Sequence, residues 1–215
     1  MQVFSFKGHA ITKLREKFMS EDSIIKHRPS KVQHIVALLW KAFIDIDKAN
    51  GQTKTSFVCQ AVNLRNVTVP KAPENFCGNL ITLANAQTEV SEGDNILVKL
   101  LHDSTNKTKS GYARALSHYE KDYEFLSMGF SEPLKAINGN EDVNVYTFSS
   151  WCKFSLYTVD FGWGKPVWRS TNMKFHRIVF MMDDEESDGV EAWVSLEKKE
   201  MCELEQDLNI QAYMV

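Results

Sequence analysis

The chain has 215 residues, with 25 basic and 28 acidic side chains and a net charge of −3. That length suits one ordinary domain, which can bury about 70% of its unfolded surface. At 43% hydrophobic and 25% charged residues, the composition excludes disorder, collagen-like repeats and a membrane-spanning architecture; the charge balance argues against nucleic acid and a membrane surface as partners.

Residues 2–6 place Phe4 and Phe6 on one face, the pattern of a short strand. Ile11, Leu14, Phe18 and Met19 recur at helical spacing over 9–20. Between Pro29 and Gly51 the apolar stripe of Val32, Ile35, Val36, Leu39, Trp40, Phe43 and Ile44 predicts the strongest helix, with Ser30 as cap and Gly51 as stop. Residues 55–64 are rich in β-branched and aromatic residues and read as a buried strand. Beyond Pro70 and Pro73 come a loop and a short strand near Asn79–Leu83. Residues 91–128 read as helical, broken around Asp103–Lys109. Strands are expected at 143–150, 152–159, 176–182 and 190–195, then an amphipathic helix over Leu196–Leu208. Strands alternating with helices argue an α/β class.

Cys59, Cys77, Cys152 and Cys202 lie far apart, with no Cys-x-x-Cys, and read as reduced thiols and not as a zinc set. No signal peptide and no apolar run of membrane-spanning length is visible, so the chain reads as cytoplasmic. The sequons at Asn66 and Asn106 read as chance. His9, His27, His34, His102 and His176 follow no metal or triad spacing and are expected at the surface or an interface. The acidic run Asp183–Glu186 lacks a calcium-loop pattern and reads as a solvated hairpin turn, so no metal is expected.

The most unusual segment is Asp160-Phe161-Gly162-Trp163-Gly164-Lys165-Pro166. Two glycines and a proline specify a tight loop, and an aspartate beside two aromatics needs a cation or backbone donors. It is no phosphate cradle, because a third glycine and a following helix are missing. On spacing alone a structural turn satisfies the pattern.

Read in full, the segment resembles the signature loop of the BAHD acyltransferases, plant enzymes that move acyl groups from coenzyme A to alcohols or amines. Gln60-Ala61-Val62-Asn63-Leu64-Arg65 resembles the family strand ending in Asn-x-Arg, and Phe76-Cys77-Gly78-Asn79 its aromatic-x-Gly-Asn turn. Ser149-Ser150-Trp151 and Asp188-Gly189-Val190-Glu191-Ala192-Trp193 match two further stretches in order and spacing. The wording is most similar to the clade acetylating alkaloids and alcohols. The resemblance implies a chloramphenicol-acetyltransferase-like mixed sheet flanked by helices, the second half of a two-domain fold. It also implies that the N-terminal half, with its catalytic His-x-x-x-Asp-Gly, is missing. His118 and Asp122 form a His-x-x-x-Asp pair, but they lack the following glycine and sit among charges on an expected helix, so they are rejected as that motif.

Such an enzyme needs a general base for the attacking hydroxyl, a donor for the oxyanion, and cationic or helix-terminal groups for the coenzyme's phosphates. By resemblance, Trp151 would serve oxyanion or acyl positioning, Ser149 would line the pocket, and Ser30 and Lys31 would meet acetyl-CoA, while the general base would be absent. Asp160 and Arg65 would form a structural pair, with Gly162 and Gly164 shaping the loop. Residues 160–186 are expected to pack with the missing N-terminal domain. Phe161, Trp163, Val167, Trp168, Phe175 and Phe180 would then lose cover, so the chain alone is expected to aggregate or to need a partner half. The implied activity is acyl transfer, acetyl by clade, to an alcohol of plant specialised metabolism. The alternatives are a truncated non-catalytic homologue acting as a binding module, or a plain fragment.

Overall fold

The stripe between Pro29 and Gly51 becomes the central helix of the molecule. A computed structural model describes residues 1–20, 29–51, 55–68, 71–73, 75–89, 93–117, 123–139, 143–154, 156–171, 175–186 and 188–214. The stripe's helix is the second in the chain (α2, Lys31–Ala49), after α1 (Gly8–Ser20). Ser30 is extended, and its hydroxyl accepts the Gln33 N–H at 3.3 Å while the Gln33 side chain accepts the Ser30 N–H at 2.9 Å. This capping box satisfies two donors that the first turn leaves open. At the far end Gly51 takes φ +68°, a conformation that costs glycine little. Ile35, Val36, Leu39, Trp40 and Phe43 are buried, each worth about 1.5–3 kcal/mol relative to exposure. The Trp40 indole N–H is satisfied by Ser56 Oγ at 2.8 Å.

Helix α2 packs on a mixed sheet of β1 (Gln2–Phe6), β2 (Thr55–Asn63), β3 (Ile81–Glu89), β4 (Val143–Ser150), β5 (Ile178–Asp183) and β6 (Val190–Ser195), ordered β1-β6-β5-β4-β2-β3. The β2–β4 and β4–β5 pairs are parallel and the others antiparallel. Strand alternation sorts the side chains onto two faces. Phe4, Phe6, Phe148, Val179, Met181, Val190, Ala192 and Val194 join α2 in the main core. Ile178, Phe180, Met182 and Trp193 point the other way and pack with Val3, Trp151 and Leu156. Helices α3 (Asp94–Ser117) and α4 (Tyr123–Gly139) pack against β3, and α5 (Lys198–Gln206) and α6 (Leu208–Gln211) close on α2.

A buried polar network ties α2, β4, β5 and α5 together. Tyr146 donates to Asp47 Oδ2 at 2.7 Å, and Arg177 Nη2 reaches Asp47 Oδ1 at 3.5 Å and Glu200 Oε1 at 2.7 Å. Burial pushes the Asp47 carboxyl above its ordinary range, outweighing the Tyr146 hydroxyl and the Arg177 cation.

Several elements differ from expectation for identifiable reasons. No break occurs at 103–109, because Ser104 and Thr105 donate to the Leu101 carbonyl within α3 and leave the ladder intact. Strand β3 runs well past the expected Leu83, since its inward residues Thr82, Ala84, Ala86 and Thr88 are too small to give a strong apolar signal. Among the described residues of 152–159 no strand forms: after β4 the chain turns at Lys153 (φ +70°), and Leu156–Thr158 make a single 3₁₀ turn. The C-terminal helix divides at Asp207, whose carboxylate caps α6 through the N–H groups of Asn209 and Ile210. Within 160–186, β5 belongs to this chain's own sheet and Phe180 is buried, so the uncovered stretch is narrower than expected.

Candidate functional site

The end of β4 builds the site. Ser149 lies in register with Phe180 on the face opposite α2. One residue past the strand, the Trp151 N–H donates to the Met181 carbonyl at 2.7 Å and keeps the backbone alongside β5. Its indole meets the Phe180 ring edge-on at 5.3 Å, and Nε1–H donates to Ser149 Oγ at 3.2 Å. Beside this tryptophan lies a cavity of about 330 Å³, lined by Lys31, Lys153, Tyr157, Arg169 and Asp183 among others.

Three cations therefore meet Trp151 on one wall. Lys31 Nζ donates to Asp183 Oδ1 at 2.8 Å and to the Gly189 carbonyl at 3.2 Å. Asp183 Oδ2 accepts the Lys153 N–H, which holds Lys153 in its left-handed conformation. Burial pushes the Asp183 carboxyl up, but the Lys31 ammonium and the Lys153 N–H outweigh it and hold the group below the ordinary carboxylate range. Arg169 donates to the Asp183 carbonyl, pairs with Glu191 at 3.3 Å and covers the Tyr157 ring at 3.7 Å.

The fold thus brings Lys31, Ser149 and Trp151 together. Ser30 adjoins Lys31, but its hydroxyl is engaged in the capping box. Lys153, Tyr157, Arg169 and Asp183 were missed by sequence reasoning: Lys153 and Tyr157 fell in a segment read as strand, and Arg169 carries no local motif. Asp183 was read as part of a solvated turn, whereas it ends β5 and pairs with Lys31 while Asp184 beside it is buried.

Asp160 and Arg65 do not pair in this structure. Asp160 is exposed, and its Oδ1 accepts the N–H groups of Gly162 at 2.7 Å and Gly164 at 3.0 Å. These donors hold its carboxyl below the ordinary range, and they suffice without a cation. Gly162 (φ +105°) and Gly164 (φ +109°) supply the conformations that aim both amides inward. Arg65 instead donates to the Gly78 carbonyl at 2.6 Å and to Asn63 Oδ1 at 3.4 Å, joining the Asn-x-Arg strand end to the Phe76–Asn79 turn. Beyond Asp160 the loop is bare: Phe161 is 75% exposed, Trp163 83% and Val167 97%, with Trp168 and Phe175 also exposed.

Among the described residues no histidine lines the cavity. His34 departs from its expected surface position: it is buried, with Nδ1 at 2.8 Å from the Ser30 carbonyl. His176 faces Glu197 and Glu200 at the surface, and His102 bonds Asn106. His27, His118 and Asp122 lie outside the described residues. Asp184, Glu186 and Asp188 cluster closely, with the Lys7 ammonium 3.3 Å from Asp184 and 3.5 Å from Glu186. No described helix is long and apolar enough to cross a membrane.

The family model described as the Transferase family matches residues 2–210. Limonoid 1-O-acetyltransferase of Citrus sinensis is 34% identical over 98% of this chain and 47% of its own length. Stemmadenine O-acetyltransferase of Catharanthus roseus is 34% identical over 96% of this chain and 46% of its own. The crystal structure of vinorine synthase superposes with a TM-score of 0.77 at 28% identity, over 99% of this chain and 47% of that one. F. sporotrichioides TRI101, complexed with coenzyme A and T-2, shares the fold, with a TM-score of 0.76 at 19% identity over 98% of this chain and 49% of that one. The chain spans about half the length of the curated relatives it matches. It belongs to the Transferase family, as a BAHD-type acyltransferase chain corresponding to the C-terminal half of those relatives.

Proposed function

We propose that this chain forms one wall of an acyltransferase that moves an acyl group, acetyl by similarity to its relatives, from coenzyme A to an alcohol of plant specialised metabolism. The observation carrying this reading is the convergence of Trp151 and three cations around one cavity, with Ser149 bonded to the tryptophan. An alcohol attacking a thioester carbonyl gives its proton to a base and forms a tetrahedral oxyanion that needs fixed donors. Collapse of that oxyanion breaks the C–S bond and expels the coenzyme A thiolate, which takes the proton back from the base. The Ser149 hydroxyl is the donor positioned here, and the Trp151 indole N–H, whose one hydrogen goes to Ser149 Oγ at 3.2 Å, orients it. Lys31 and Lys153 are the groups to which we assign the coenzyme's phosphates, with Lys31 at the positive end of α2 and Ser30 beside it.

The proton-abstracting base is assigned to a histidine of the half that this chain does not span. The exposed aromatics of the 160–175 stretch are assigned to contact with that half, since a bare patch with Phe161, Trp163 and Val167 is typical of an interaction surface.

The test mixes the chain with acetyl-CoA and a panel of alcohols, with and without an N-terminal half from a relative, and measures ester by mass spectrometry. Ester is expected only when both halves are present. Trp151→Phe leaves the Ser149 hydroxyl unoriented and should lower turnover by about 10², the effect of losing one fixed oxyanion donor. Ester made by the chain alone, or a Trp151→Phe pair as fast as the parent, overturns the assignment. Halves that associate but stay inactive would favour the non-catalytic binding reading.

A further inference from the structure

Apart from the Gly189 carbonyl that accepts from Lys31, the stretch Asp188–Trp193 has no role above, yet it touches the residues flanking the Asp160–Lys165 loop on both sides. Glu191 and Trp193 are two apart on β6 and therefore share a face, the one opposite α2. Tyr157, just before the signature loop, donates its hydroxyl to Glu191 Oε1 at 3.3 Å. Arg169, just after the loop, donates to Glu191 Oε2 at 3.3 Å. The guanidinium lies over the Tyr157 ring, so the two feet of the loop also contact each other. Trp168 leans on Trp193 at 5.6 Å. Between these feet the loop holds its shape through the Asp160 bonds to Gly162 and Gly164, while its aromatics stand in solvent.

We propose that Glu191 is a positioning residue: one carboxylate ties both feet of the Asp160–Lys165 loop to the sheet and so sets the cavity wall formed by Tyr157 and Arg169 beside Trp151. Its importance to acyl transfer rests on the function proposed above, but the tether itself does not. A carboxylate suits the task because its two oxygens accept from two donors at once, one of them a guanidinium. Both feet line the same cavity as Trp151, so releasing them would move the wall without touching the tryptophan.

Peptide-resolved hydrogen exchange of the 215-residue chain, without substrate, tests the tether. Glu191→Ala removes both carboxylate hydrogen bonds and should speed exchange over 159–168 by at least about tenfold, the effect that losing even one charge-assisted bond has on local opening. Exchange over β2 should stay unchanged. Glu191→Gln keeps one acceptor oxygen and should recover part of the protection, a rescue that a general packing defect would not produce. Tyr157→Phe and Arg169→Met leave Glu191 in place and should each loosen the same segment, so the test survives if Glu191→Ala fails to fold. Exchange over 159–168 that stays at the parent rate, or rises only in step with β2, overturns the proposal. Because no turnover is measured, an inactive enzyme would sink the proposed function and leave this tether standing.

Discussion

Replacing Arg177 by methionine should destabilise the fold far more than an ordinary surface change. The guanidinium side chain is 14% exposed and faces Asp47 (2% exposed) and Glu200 (7% exposed). Removing one partner of a buried ion pair costs about 3–5 kcal/mol, because the survivors stay charged in a poorly solvated site. Asp47 keeps the Tyr146 hydroxyl and Glu200 keeps the Glu197 N–H, so the lower end, about 3 kcal/mol, is expected. For a chain of this length that lowers Tm by about 6–12 °C. The deficit should also depend on pH. The Asp47 carboxyl already sits above its ordinary range through burial, and without the cation it rises further. A carboxyl raised on folding contributes stability that is present below its unfolded pKa and lost as pH rises through the folded one. Urea unfolding of parent and variant at pH 5 and pH 7.5 should therefore give a smaller gap at pH 5. An equal gap at both pH values, or one below about 1 kcal/mol, would refute the assignment of a charge-compensating role.

Other outcomes can be checked directly. The uncovered aromatics of 161–175 should make the isolated chain self-associate, and a monodisperse monomer in light scattering would count against that. Lys31→Met should weaken the depression of the Asp183 carboxyl. In the parent the depressed carboxyl adds stability above about pH 4 that is lost as pH falls through its folded value. In the variant the Lys31 ammonium no longer offsets burial, the folded pKa moves up, and the stability gained as pH rises from about 3 to 7 should be smaller than in the parent, as read by urea titration. Thiol alkylation at pH 8 should label the exposed Cys77 and Cys202 first. Cys59, buried and pushed up to about 12 by that burial, should react only after unfolding. Mass mapping of labelled peptides decides the order.

Local pattern determined much of this protein. The stripe from Ile35 to Ile44, with Ser30 and Gln33 before it and Gly51 behind it, specifies α2 and its cap, because a helix buries one face and leaves its first donors open. The strands at 2–6, 143–150 and 190–195 were legible for the same reason at period two. Motif wording carried the family. Where side chains are small, as in β3, or where the chain leaves the sheet, as at Lys153, periodicity is silent or misleading.

The partners of charged groups were decided elsewhere. Asp160 takes amides within its own loop, Arg65 takes the Gly78 carbonyl, and Glu191 joins Tyr157 to Arg169. Lys31 and Asp183 meet from opposite ends of the sequence to build the wall beside Trp151. Composition and spacing establish which groups a chain has to satisfy. Which donor reaches which acceptor depends on distances of a few ångströms, and those exist only once α2 has settled on the sheet.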